Sequence, residues 1–167
     1  MEKRLRSHYE SLSRAIGFTR AADGKAAPAL ALQVALVGTV AARFERLAPM
    51  LGREPWGVDS LALAGLLVLY ALSAIGVVAL AASVYLPRTP RTGGSLIYFE
   101  DIATMSLESL KKQATSMDAE TIERQLLDQI HTVSGIASTK LRRVRWTYYL
   151  SVPSVVSWII LLGWSGF

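Results

Sequence analysis

Residues 61–86 form the uncharged stretch LALAGLLVLYALSAIGVVALAASVYL, which begins directly after Ser60. A water-soluble domain of this size could scarcely bury such a stretch. At about 1.5 Å per residue, the 27 positions from Ser60 to Leu86 span roughly 40 Å as a helix. This length exceeds the roughly 30 Å hydrocarbon core of a bilayer. We therefore predict a transmembrane helix over residues 60–86.

Two other stretches are apolar enough to cross a membrane. Residues 26–42 are interrupted only by the polar side chains of Gln33 and Thr39. Residues 146–167 contain no charge and carry aromatic side chains at both ends, where the membrane–water interfaces would lie. The sequence therefore predicts an all-α integral membrane protein with three transmembrane helices, at 26–42, 60–86 and 146–167.

The composition argues against an enzyme. The chain has 167 residues, 51% of them hydrophobic, with no cysteine and two histidines. It contains none of the common nucleotide-loop, zinc or nucleophile motifs. We predict no catalytic residues, no metal and no cofactor, and an integral membrane enzyme is disfavoured.

The lysine and arginine side chains responsible for the net charge of +5 flank apolar segments. This placement indicates contact with anionic lipid headgroups rather than nucleic acid.

The distribution of lysine and arginine predicts the orientation of the spans. Residues 1–25 contain six of these cations, the 43–59 loop three and the 87–145 segment nine. Positively charged residues favour the cytoplasmic side of a membrane. We therefore predict that 1–25 and 87–145 are cytoplasmic, whereas the 43–59 loop and the C-terminus are external.

The 87–145 segment has the pattern of a helical domain. It opens with a Pro- and Gly-rich turn at 87–94, and Ser106 is placed to N-cap a short helix over about 106–115. Farther on, apolar side chains recur at steps of three and four residues, a pattern that repeats every 11 residues and indicates a long helix needing a partner along its length. The members of this stripe are Ile122, Leu126, Ile130, Val133, Ala137, Leu141 and Val144.

Residues 1–25 offer that partner, because they predict an amphipathic helix. Its expected apolar face consists of Leu5, Tyr9, Leu12 and Ile16. Both amphipathic helices lead directly into spans. We therefore predict that the first and third transmembrane helices extend into a cytosolic helical domain, where they pair with each other or with neighbouring subunits.

Tyr98, Phe99 and Asp101 are the first candidates for ligand binding. Aromatic rings beside an acid can stack on a nucleobase and bind its polar edge, while nearby cations neutralise a phosphate. The alternative is that Phe99 and Ile102 are core residues and that Glu100 and Asp101 are solvated. The spacing leaves both interpretations open.

A second candidate cluster opens the first span. Asp23 lies seven positions after Ile16, hence on the same face of a continuous helix, whereas Lys25 is turned away by about 200°. A carboxylate aimed at a helix interface suggests a ligand or partner contact. Alternatively, Asp23 pairs with Arg20 and Lys25 meets lipid phosphates.

The last helix carries further candidates. Gln129 and Lys140 could line a site, or could belong to the polar flank of an amphipathic helix. Pro153 is predicted to bend the span, because its ring displaces the carbonyl of Tyr149. Small hydroxyl side chains share one face and predict close helix packing, with a polar pore lining as the alternative; they are Thr147, Ser151 and Ser154.

Several short motifs stand in a fixed order relative to the spans. Asp23-x-Lys25-Ala26 opens the first span, and the run LIYFxDIA follows the second at 96–103. Gln129-Ile130 and the IAxxK motif at 136–140 lead into the third. In this order and spacing, nearly the whole chain resembles the transmembrane effectors of the Pycsar antiphage system.

The resemblance implies a partnership with a pyrimidine nucleotide cyclase that makes cyclic CMP or cyclic UMP during phage infection. The effector would sense that ligand on its cytosolic side and damage the bacterial inner membrane, so that the host stops growing or dies. The chain lacks the β-roll phosphate cassette of soluble cyclic-nucleotide receptors. The site must therefore be built from helices, and we expect a homo-oligomer.

On this resemblance we assign roles to the candidates. We assign contacts with the nucleobase to Tyr98, Phe99 and Asp101. Contacts with the phosphate, or coupling of the ligand to the spans, are assigned to Arg20, Lys25 and Lys140. Coupling or a helix interface is assigned to Asp23, Gln129 and Pro153. The competing hypothesis is a constitutive membrane scaffold or adaptor, whose cytosolic helices bind a partner protein without any dependence on nucleotide.

Overall fold

The computed structural model describes residues 2–52, 57–86 and 95–164, and every regular element in these ranges is an α-helix. The turn predicted at 87–94 lies outside the described residues. The predicted all-α class is confirmed. In chain order the helices are α1 (Glu2–Ala42), α2 (Phe44–Leu51), α3 (Val58–Tyr85), α4 (Phe99–Thr104), α5 (Leu107–Ser116) and α6 (Ala119–Trp164).

Three of these helices, α1, α3 and α6, are long and apolar enough to cross a membrane. They contain 41, 28 and 46 residues. At 1.5 Å per residue, α1 and α6 are about 60 and 70 Å long, roughly twice the thickness of a hydrocarbon core. The predicted extension of the first and third spans into longer helices is therefore confirmed.

The chain divides into two compact units. The head unit contains the described residues of 1–21 and 87–141, and the membrane unit contains those of 22–86 and 142–167. α1 and α6 contribute residues to both units.

Within the membrane unit, the buried positions of each long helix recur every seven residues. In α1 the steps alternate between four and three, and three of the buried side chains are alanines that let helices approach closely. A repeat of seven is typical of helices that wrap around one another with a left-handed twist. The repeat is formed by Ala22, Ala26, Ala29, Gln33 and Leu36 in α1, by Leu63, Tyr70, Ala74, Val77, Ala81 and Val84 in α3, and by Val144, Thr147, Ser151, Ser154 and Leu161 in α6.

One end of the membrane unit is closed by an apolar cluster. Its buried members come from all four helices of the unit, and they are Leu36, Leu47, Leu63, Tyr70 and Leu161. The short helix α2 reaches this cluster through Leu47, and it is joined to α3 where the Ser60 hydroxyl donates to the Met50 carbonyl at 3.0 Å. α2 lies within the 43–59 loop and was not predicted.

Large apolar side chains cover the outer surface of the membrane unit. Val34, Leu72, Ile75 and Val152 are all more than 60% exposed in the isolated chain. In water such a surface would be costly, whereas in hydrocarbon it is the ordinary exterior of a helix bundle.

Gly76 marks a close approach between α3 and α6. A Cβ atom at this position would lie 2.9 Å from Cδ1 of Leu150, whereas a Cβ at Gly65 on the same helix would meet nothing within 4 Å. Small interface residues permit such approaches in membranes.

We therefore expect Gly76→Ile to lower the free energy of unfolding by about 1–3 kcal/mol, as overpacking of a close contact does. Gly65→Ile is the matched control and should leave stability unchanged. Reversible unfolding in mixed micelles, followed by circular dichroism, measures both. An equal loss in the two variants would contradict the observed contact.

Candidate functional site

The head unit joins the first turns of α1 to the first turns of α6. Arg4 Nη2 lies 2.9 Å from Glu123 Oε2, and His8 Nε2 lies 3.1 Å from Glu123 Oε1. With Arg4 and His8 facing Glu123, the α1 face that becomes buried contains Leu12 and Ala15.

The predicted apolar face of this helix is therefore only partly correct. Leu12 is buried as expected, but Tyr9 is 54% and Ile16 is 38% exposed. The reason is the two polar contacts to Glu123, which rotate the helix relative to the face that hydrophobicity alone favours. Phe18 of the same helix is 60% exposed.

In the segment that leads into α4, four consecutive backbone N–H groups donate hydrogen bonds to side-chain oxygens. The N–H of Ser95 donates to Asp101 Oδ2 at 2.9 Å, and that of Leu96 donates to Gln125 Oε1 of α6 at 3.1 Å. The N–H groups of the next two residues, Ile97 and Tyr98, both donate to the Ser95 hydroxyl at 3.2 Å. Ser95 and Gln125 were not predicted, because hydrophobic periodicity gives no signal for hydrogen bonds between a side chain and the backbone.

Tyr98 and Asp101 are brought together in this segment, and both are buried. Tyr98 is 4% and Asp101 is 7% exposed, so the solvated Asp101 of the alternative interpretation is not observed. Asp101 supports the segment through its bond to Ser95. Phe99 lies in α4, but its side chain is outside the described residues.

Arg20 lies elsewhere on the head unit, in a groove along α1. The groove has a volume of about 440 Å³ and an exposed arginine at one end. A ring, a hydroxyl and a guanidinium on one helix surface could accept a small anionic ligand. The lining residues are Tyr9, Leu12, Ser13, Ile16, Gly17 and Arg20.

The other candidates are spread over both units. Gln129 and Lys140 are half-buried positions of α6 in the head unit, whereas Asp23, Lys25 and Pro153 belong to the membrane unit. Lys25 is exposed and Asp23 is half-buried.

Backbone carbonyls near Asp23 and Lys25 receive hydrogen bonds from the other two long helices. The Tyr85 hydroxyl of α3 donates to the Asp23 carbonyl, and the Tyr148 hydroxyl of α6 donates to the Lys25 carbonyl, each at 3.0 Å. Arg143 of α6 donates to the Ser83 carbonyl of α3 at 2.7 Å. These three contacts tie the helices together at the end of the membrane unit that lies opposite the apolar cluster.

Hydrogen bonding lowers the pKa of two carboxyl groups in the head unit. The hydrogen bond from His8 is the main cause of the lowered pKa of Glu123, and the charge of Arg4 adds to it. The pKa of Asp118 is lowered by its hydrogen bonds with Thr121, whose N–H donates to Asp118 at 3.0 Å at the start of α6.

The predicted cap of α5 is confirmed, since the Ser106 hydroxyl accepts from the Ser109 N–H at 3.2 Å.

Taken together, three apolar spans and a helical head unit define an all-α integral membrane protein. The sequence matches the family described as Pycsar effector protein domain over residues 8–166, which is nearly the whole chain. The chain belongs to this family, and it is therefore a membrane effector of antiphage defence, in a family of non-catalytic effectors. No curated protein and no solved structure matches the chain.

The contact of Glu123 with Arg4 and His8 generates a pH prediction. Since the pKa of Glu123 is lower in the folded chain than its ordinary value of 4.5, its contribution to stability is fully present above that value. The contribution is lost as the pH falls through the lowered pKa. Glu123→Gln should therefore reduce thermal stability at pH 7, and the difference from the wild type should shrink as the pH falls below 4.5.

Glu10→Gln is the matched control, because Glu10 is exposed and its ion pairs within the described ranges both lie along its own helix, with Arg6 at 3.6 Å and Arg14 at 3.7 Å. It should change thermal stability little. Circular dichroism of the purified protein in detergent, at a series of pH values, measures all three proteins. A pH-independent effect of Glu123→Gln would contradict this account.

Proposed function

We propose that this effector senses cyclic CMP or cyclic UMP, made by a cognate cyclase, through its head unit and then impairs the bacterial inner membrane. The infected cell would stop growing or die before phage are released. The observation that carries the proposal is the family match over residues 8–166 in a chain with three apolar spans. The orientation follows the lysine and arginine counts, with the head unit in the cytoplasm.

The proposed base contacts are Tyr98, Phe99 and Asp101. A carboxylate accepts hydrogen bonds from the N–H groups on the edge of a pyrimidine, and aromatic rings stack on its face. The phosphate carries a negative charge, for which the proposed partners are Arg20, Lys25 and Lys140. Asp23, Gln129 and Pro153 would serve coupling rather than direct contact.

Burial of Asp101 suggests how a ligand would act. In the structure its carboxylate accepts from Ser95, and the neighbouring Leu96 is bonded to Gln125 of α6. A base that competes for the carboxylate would release Ser95 and weaken the attachment of this segment to α6. α6 also contributes residues to the membrane unit, so a shift in its preferred packing would reach the spans.

Exposed apolar side chains in the head unit support a homo-oligomer. Tyr9 and Phe18 on α1 are 54% and 60% exposed. In the cytoplasm these rings would face water unless another subunit covered them.

The first test is leakage of liposomes that contain the purified chain, loaded with a small dye and a potassium gradient. We expect cyclic CMP or cyclic UMP to start leakage, and cyclic AMP, whose purine base differs in size and edge pattern, to have no effect. The constitutive scaffold predicts no leakage under any of these conditions. Leakage that is equal with and without the pyrimidine nucleotides would also overturn the proposal.

The second test concerns Asp101. Asp101→Ala should abolish nucleotide-induced leakage while membrane insertion stays intact. Asp101→Asn keeps an oxygen that can accept from Ser95 but loses the charge, so a binding role predicts a loss of affinity on the order of tenfold. Isothermal titration with the activating nucleotide measures this loss.

Glu108→Gln is the matched control for Asp101→Asn, because Glu108 is an exposed carboxylate of α5 in the same unit. It should bind nucleotide like the wild type. Wild-type affinity and leakage in Asp101→Asn would remove Asp101 from the site and leave it a purely structural role at Ser95.

A further inference from the structure

A row of hydroxyl side chains is buried along α6 inside the membrane unit. Thr147, Ser151, Ser154 and Ser157 are each less than 10% exposed, and the sequence analysis singled out the first three. The first two donate back to their own helix, Thr147 to the Arg143 carbonyl at 3.0 Å and Ser151 to the Thr147 carbonyl at 2.9 Å. Such bonds are compatible with helix packing alone.

Ser154 breaks this pattern, because its hydroxyl donates across the bundle to Oε1 of Gln33 in α1 at 3.0 Å. Gln33 is 1% exposed, and its amide nitrogen Nε2 has no hydrogen-bond partner among the described residues. A second orphan lies in the same interior, since the hydroxyl of Tyr70 in α3 is also buried and has no hydrogen-bond partner in the described part of the chain. All three long helices therefore present polar atoms inward, and two of these atoms lack a partner within the described ranges.

The contacts between helices show that the two orphans lie near each other in depth. Gln33 is at the level of Ser154, and Thr39 is at the level of Trp158, whose Nε1 donates to the Thr39 hydroxyl at 2.6 Å. Tyr70 packs in the cluster that contains Leu36, and Leu36 is one turn beyond Gln33 on α1. The two orphans are thus separated by only a few turns of helix along the bundle.

Close packing alone does not explain Gln33. A leucine would fill similar volume in an apolar interior without leaving a donor unsatisfied. Buried polar groups that lack protein partners are usually satisfied by ordered water, and polar side chains inside membranes commonly mark ion or water pathways. The neighbouring Val34 is 62% exposed and faces outward, whereas Gln33 is 1% exposed and faces the interior.

We infer that the Gln33–Ser154 level of the membrane unit holds water in the resting protein, and that this polar seam lines the path for small ions in the triggered protein. The seam is defined by Gln33, Tyr70, Ser154 and Ser157. None of its side chains carries a formal charge, so it would pass small ions of either sign. The permeation step deepens the proposed function and rests on it, whereas the resting hydration does not.

The absence of cysteine in the sequence makes the hydration testable without background. Single cysteines are placed in the seam, as Ser154→Cys and Ser157→Cys, and on the outer face of the same helix, as Val152→Cys and Val156→Cys. The probe is methanethiosulfonate ethylammonium, which reacts with thiolates and hence only where water reaches the sulfur. In liposomes without nucleotide, we expect the seam cysteines to react on the order of tenfold faster than the outer pair. Equal rates would overturn the hydrated seam.

Gln33→Leu tests the permeation step. It should lower nucleotide-induced potassium efflux on the order of tenfold, while nucleotide binding is unchanged. Resistance to unfolding should change little, because the loss of the orphan donor offsets the loss of the bond from Ser154. Val34→Leu, on the outer face, is the matched control and should leak like the wild type. If Gln33 serves packing only, Gln33→Leu will leak at the wild-type rate, and the inference fails.

The two proposals fail in distinguishable ways. If the wild type does not leak with either nucleotide, the proposed function is wrong, while fast reaction at Ser154→Cys would still establish the hydrated seam. If the wild type leaks and Gln33→Leu leaks equally, the proposed function stands and the path lies elsewhere.

Discussion

α3 carries no charged residue from Ser60 to its end at Tyr85, so its outer surface must face hydrocarbon. In hydrocarbon every backbone polar group needs a partner within the protein. This constraint explains why the spans are unbroken helices although α1 contains Pro28 and α6 contains Pro153. A proline leaves carbonyls of the preceding turn poorly satisfied. For Pro28 the carbonyl that loses its N–H partner is that of Gly24, four residues earlier. Hydroxyls of α3 and α6 donate to the carbonyls on either side of it, Tyr85 to Asp23 and Tyr148 to Lys25.

The same constraint gives the interior of the membrane unit its character. Apolar side chains face outward, where lipid replaces water, and the interior can hold small and polar residues. At one end the interior is closed by the cluster of Leu36, Leu63 and Leu161, and at the other end Arg143 and two tyrosines tie the helices together. Between these ends lie Gln33 and Ser154. The polar residues thus lie between the apolar cluster at one end and the polar contacts between helices at the other end. This arrangement is compatible with a membrane that stays impermeable while the protein is in its resting state.

Much of the fold could be predicted, because long uncharged runs have few alternatives in a protein of this size. The helical extensions of the first and third spans could be predicted from hydrophobic periodicity. The cap at Ser106 could be predicted from its side-chain oxygen directly before a helix. The buried face of α1 in the head unit could not be predicted from hydrophobicity, since Tyr9, Leu12 and Ile16 are all side chains that a helix can bury. The contacts of Arg4 and His8 with Glu123 determine which face of the helix is buried. The bonds of Ser95 and Gln125 are equally invisible to periodicity. The assigned roles of the ligand residues stay predictions.

On the proposed function, the triggered state damages the host and must therefore stay rare until the ligand appears. Moving a two-state equilibrium from 1:99 to 99:1 requires a ligand that prefers one state by about 5.5 kcal/mol. Among the described contacts that would resist the change, neutral hydrogen bonds such as Leu96 to Gln125 contribute about 0.5–1.5 kcal/mol each. A bond to a charged group such as Asp101 contributes about 1.5–3 kcal/mol. Together the four bonds of this segment reach the same order as the required preference. A nucleotide that exchanges these bonds must offset their loss as well as prefer the triggered state, so the proposed site needs contacts with charged groups.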